Sequence, residues 1–147
     1  MRGASSSGRP LQPGPMGRVV LTTCCAEKRR NAEPLSAVRR YTHPRLRVAE
    51  ALARDQGVPL MILSGVFGLV DARTPLPWYD HALRPSEALG LSGSVAGRLN
   101  SRGVTAVMFV CEPLATPGWA PYHDAVIRAC EQADVTLTRH EVAMSFR

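Results

Sequence analysis

The chain has 147 residues, 45% of them apolar and 20% charged, a balance that fits one globular domain rather than a disordered chain. No apolar run approaches the roughly 18 residues that a membrane-spanning helix requires. The net charge is +6, and nine basic residues fall within 18–54 against only Glu27, Glu33 and Glu50, so the excess is local and favours a phosphate-bearing or polyanionic partner.

Residues 1–16 (MRGASSSGRPLQPGPM) are rich in Ser, Gly and Pro and lack the apolar stretch of a secretory signal. They read as a flexible tail, with Met16 a candidate start, ahead of a single cytoplasmic domain over 17–147. Residues 18–23 (RVVLTT) form the first predicted strand. Pro44 then opens a helix that places Leu46, Ala49, Leu52 and Ala53 on one face and stops at Gly57, with a shorter helical turn over 35–41 before it. On this wheel Arg45, Arg47 and Arg54 point to water. Residues 60–63 (LMIL) are a short apolar run between Pro59 and Ser64-Gly65, which suits a central strand. A helix over 85–102 is weakened by Gly90, Gly93 and Gly97 but keeps Ala88, Leu91, Val95 and Leu99 in a stripe. Residues 106–111 (AVMFVC) form the third strand. A helix over 122–133 follows, packing Ala125, Val126, Ala129 and Cys130. The fourth strand, 136–142, alternates in part and reads as an edge.

Strands alternating with helices predict an α/β domain, Rossmann-like and three-layered, with a small, mostly parallel sheet of about four strands. In such a sheet the residues following each strand meet along one edge, where ligands bind. That edge collects Cys24, Cys25, Glu27 and Lys28 after the first strand. It collects Ser64, Gly65, Phe67 and Gly68 after the second, then Trp78, Tyr79 and Asp80, and Glu112 after the third; His123 can also reach it. The four cysteines have no zinc spacing and are expected as free thiols, and no metal or cofactor motif is present. Glycines 65 and 68 permit a close backbone approach, while Ser64 offers a hydroxyl. Lys28 and the turn N–H groups of Cys25 and Gly65 suit an anionic group. Cys24 or Cys25 beside Lys28, Arg29 and Arg30 can be an activated thiolate or simple packing. Tyr79 can stack on a base. Asp80 and Glu112 are the candidate catalytic carboxylates, contacting a sugar or acting as general base.

The motifs Cys24-Cys25-Ala26-Glu27-Lys28, Tyr41-Thr42-His43-Pro44, Leu63-Ser64-Gly65-Val66-Phe67-Gly68-Leu69 and Trp78-Tyr79-Asp80 follow one another in order. Over about 18–83 the chain resembles an uncharacterised bacterial and phage domain family with the pattern Cys-Ser-x-x-Lys, Tyr-Thr-Ser-Pro, Leu-Ser-Ala-x-Tyr-Gly-Leu and Pro-Tyr-Asp. That family is distantly similar to the peroxide stress protein family and to a module of archaeosine synthase. Cys25, His43, Gly65, Phe67 and Trp78 depart from the pattern, and the serine hydroxyl is lost at position 25. The resemblance implies an α/β fold linked to nucleotides, modified bases or nucleic acid.

The expected function is binding of a nucleotide or nucleobase-containing ligand at the strand ends, with cleavage or exchange of an N-glycosidic bond as the candidate reaction. The alternative is a non-enzymatic nucleic-acid-binding module using the arginine-rich face. A weaker one is a thiol-based stress protein centred on Cys24-Cys25.

Overall fold

The computed structural model describes residues 16–25, 28–29, 33–77, 79 and 83–142. Its main sheet has five strands in the order β4-β3-β1-β6-β7. These are β1 (Gly17–Thr23), β3 (Leu60–Ser64), β4 (Gly68–Asp71), β6 (Val104–Cys111) and β7 (Thr136–Glu141). A second, two-stranded sheet pairs β2 (Leu35–Ser36) antiparallel with β5 (Pro75–Leu76). Among the described residues the helices are α1 (Ala37–Arg40), α2 (Pro44–Gln56), α3 (Ala88–Ser101) and α4 (Ala120–Ala133), and a 3-10 turn, Pro85–Glu87, leads into α3.

Strand β1 pairs parallel with both β3 and β6, and β6 pairs parallel with β7. The alternation of side chains along β1 assigns its two faces. Val20 joins Val110, Ala49 and Ala53 in a cluster beneath α2. Val19 and Leu21 face the other way with Met61, Leu63 and Phe109, and that side is covered by Val95 and Leu99 of α3 and by Ala125, Val126 and Ala129 of α4. The sheet is therefore flanked by helices on both faces. Helix α2 starts where Pro44 supplies a preset φ and stops at Gly57, whose φ of 66° is left-handed.

Two expectations are corrected. The sheet has five strands, because Gly68–Asp71 returns antiparallel along β3 with Ser64 opposite Gly68 and Met61 opposite Asp71. The sequence after Ser64 is thus a three-residue hairpin connection, which Gly68 closes at a φ of 74°. Arg45 does not point to water; it is 2% exposed, because it sits four residues before Ala49 on the buried line of α2. Arg47 and Arg54 are exposed as expected. Arg40 is also fully buried, with its guanidinium donating to the carbonyls of Leu76, Glu33 and Arg29.

Candidate functional site at the carboxyl ends of the strands

The chain runs from β1 to β3 on one side and later enters β6 on the other side of β1. The reversal of strand order therefore lies between β1 and β6, the position at which open α/β sheets hold their ligands. Two clusters of polar side chains gather along this edge.

The first is built from thiol, hydroxyl and phenol groups around Cys24, and it takes in all three tyrosines of the chain. Ser64, fully buried at the end of β3, accepts the Val66 N–H at 3.1 Å and the Phe67 N–H at 3.0 Å, and this bonding shapes the hairpin. Both bonds arrive at its oxygen, so its own proton goes to the Tyr79 hydroxyl 2.9 Å away. The Tyr79 hydroxyl is in turn bonded to that of Tyr41. On the α4 side, the Tyr122 hydroxyl accepts the Leu83 N–H at 3.1 Å and lies 3.4 Å from the Cys24 sulfur. Burial pushes the phenols of Tyr41, Tyr79 and Tyr122 above their ordinary value, and the neighbouring Cys24 adds to it. Facing solvent, the Lys28 ammonium sits 4.8 Å from the centre of the Tyr79 ring, while Phe67, 39% exposed, packs edge-on against the same ring at 5.1 Å.

The second cluster is ionic. Glu112, at the end of β6, is 7% exposed, and its carboxylate faces Arg45 Nε at 3.9 Å and His43 Nε2 at 3.8 Å. His43 caps α2 by accepting the Arg45 N–H on Nδ1 at 3.0 Å, which leaves Nε2 to face the carboxylate. Arg45 donates to the Thr22 hydroxyl and the Thr23 carbonyl, both at 2.9 Å, and lies over the Trp119 ring at 4.7 Å. His123, 1% exposed, pairs Nε2 with the Glu112 carbonyl at 2.8 Å. A carbonyl only accepts, so the proton is on Nε2, and Nδ1 is a buried acceptor without a hydrogen-bond partner among the described residues.

Of the expected site residues, Cys24, Ser64, Tyr79 and Lys28 meet in the first cluster, and Glu112 and His123 in the second. Cys25 is half-buried beside Cys24. Gly65 lies beneath Leu83, where an added Cβ would come within 3.3 Å of the Leu83 nitrogen, so its lack of a side chain serves packing. Gly68 belongs to β4. Asp80 and Trp78 lie outside the described residues, as do Glu27 and Arg30. Tyr41, Tyr122 and Arg45 join the site without being among the residues expected there. The four-residue step from Arg45 to Ala49 and Ala53 was the available signal for Arg45. Among the described residues no three His, Cys, Asp or Glu gather as a metal site, and no helix is long and apolar enough to cross a membrane.

Comparison with family models, with curated proteins and with solved structures gives no match.

Proposed function

We propose that this chain binds a nucleotide or nucleobase-containing ligand at the carboxyl ends of β1, β3 and β6, using the sheet as Rossmann-like domains do. The observation that carries the reading is Glu112. A carboxylate so buried is costly to leave alone, and the Arg45 guanidinium at 3.9 Å and the neutral His43 imidazole at 3.8 Å both stand beyond direct hydrogen-bond length. A sugar hydroxyl is a donor that this carboxylate can accept from. The exposed Phe67 ring offers a face for the base, and Lys28 a charge for a phosphate. In the catalytic form of this reading Glu112 steadies the positive charge that develops on the sugar as an N-glycosidic bond breaks, or activates the attacking water. Asp80 is the second carboxylate candidate on sequence grounds alone.

The small-ligand reading is preferred over the nucleic-acid-binding module because Arg40 and Arg45, two of the nine cations of the basic segment, are spent in the interior. Calorimetric titration with free bases, nucleosides, mononucleotides and short DNA and RNA, each at low and moderate salt, separates the two. The proposal expects a mononucleotide to bind with little salt dependence. Phe67→Ala weakens it by about 5- to 100-fold, the range for loss of one base–aromatic stack. Lys28→Gln lowers affinity for the nucleotide but not for the nucleoside, and Glu112→Gln lowers both and abolishes any base release seen by chromatography. Wild-type affinity in both Lys28→Gln and Glu112→Gln refutes the site. Binding of polynucleotides alone, lost as salt rises, establishes the module instead.

A further inference from the structure

The two edges of the main sheet are treated differently. Strand β4 is buried along Gly68, Leu69 and Val70, whereas five of the six residues of β7 are exposed and only Leu137 is half-buried. Of its side chains only Leu137 packs against the core, all six residues pair in register with β6, and among the described residues no strand pairs with its outer edge. A bare edge of this kind presents its outward N–H and C=O groups as a template for another strand.

The ladder determines which groups those are. The Val142 N–H donates to the Cys111 carbonyl at 2.8 Å, so the backbone groups of His140 and Val142 turn toward β6. Those of Leu137, Arg139 and Glu141 turn outward, because successive residues alternate. For two copies of β7 to pair antiparallel about a twofold axis, every outward residue must meet another outward residue. Residue numbers across the pair must then sum to an even number, which places the axis on a residue. Centring on Arg139 or Glu141 sets that charge against its own copy, and centring on Thr138 sets Arg139 against Leu137 and Glu141 against Val135, with no opposite charge for either. Centring on His140 sets Arg139 against the partner's Glu141 and Glu141 against the partner's Arg139, as two hydrogen-bonded pairs with opposite charges on one face.

We infer that β7 is the self-association surface of this protein. Two copies join edge to edge and antiparallel about His140, extending the sheet through both subunits. Charged edge strands usually resist pairing, but these charges are arranged so that self-pairing is attractive. This surface shares no residue with those assigned to ligand binding, and its test reads association rather than ligand affinity, so the two readings fail separately.

The test is sedimentation equilibrium on the full chain from about 1 µM to about 500 µM, a range that spans weak dimers. The expected result is a reversible dimer. Arg139→Glu, which sets like charges across the axis, raises the dissociation constant at least about tenfold, and Arg139→Glu combined with Glu141→Arg restores it to within about threefold. Hydrogen exchange on the unaltered chain gives a second readout: the Arg139 and Glu141 amides become protected as concentration rises, while His140 is protected throughout. A wild-type monomer at the highest concentration overturns the inference. So does a dimer indifferent to Arg139→Glu, or failure of the double exchange to restore association.

Discussion

Raising the pH tests the buried phenol cluster without altering any residue. Tyr41, Tyr79 and Tyr122 are all the tyrosines of the chain, and all three are held above their ordinary value by burial. A phenol that stays protonated in the folded state while it ionises in the unfolded chain leaves stability intact below about pH 10 and erodes it above. One unit past that point each such phenol costs about 1.4 kcal/mol, so the three together cost about 4 kcal/mol near pH 11 and about twice that near pH 12. Cys111 and Cys130, whose thiols burial pushes up to about 11, erode stability in the same direction between about pH 9 and 11. Against a domain stability of about 5–15 kcal/mol, unfolding is expected between about pH 11 and 12. Phenolate absorbance and far-ultraviolet circular dichroism followed on one sample provide the assay. The expected record has no phenolate signal while the dichroism is native, then both changing in a single transition. A phenolate step near pH 10 with the dichroism unchanged would show that at least one tyrosine is not enclosed as described.

Replacing Arg40 by Met strands the carbonyls of Arg29, Glu33 and Leu76 without their donor; at about 1 kcal/mol each this lowers the melting temperature by about 10 °C, and a fall under about 3 °C in calorimetry contradicts the clasp. Gly93 and Gly97 of α3 are exposed, and a Cβ added at either meets nothing within 4 Å, so Gly93→Ala with Gly97→Ala stabilises by about 1–2 kcal/mol; a double variant no more stable in urea would disprove this. Alkylation of the native protein at neutral pH labels Cys25 first, because Cys24, Cys111 and Cys130 are buried, and faster labelling of Cys111 or Cys130 by mass spectrometry contradicts the packing.

The strands of the main sheet that carry long apolar runs were legible, since the core requires such runs and little else in a sequence imitates them. The limits of α2 were equally plain from Pro44 and Gly57. Strand β4 was not, because Gly-Leu-Val-Asp is short, begins with a glycine and follows a turn, so nothing local separates it from the loop. The parallel order placed Cys24, Ser64 and Glu112 on one edge, as expected from where the strands end. What each touches was hidden. Ser64 is spent on two amides of its own turn, and the partners of Arg40 include a backbone carbonyl 36 residues away, a kind of acceptor that no residue type announces. Arginine reads as a surface residue, and the burial of Arg40 and Arg45 is where that rule failed.

The small β2–β5 pairing has a kinetic meaning. It joins residues 35–36 to 75–76, and Arg40 ties the same two stretches together, while β1, β3 and β6 close a sheet that does not depend on them. Tyr41 and Tyr79 lie just beyond the two ends of this tie. The aromatic wall of the site is therefore joined to the main core through Ala37, Tyr41 and Leu76, which are buried in it. A tie between stretches so far apart in sequence forms only once the strands between them are in place, and its buried residues then open with the sheet. The wall thus persists for as long as the folded core does.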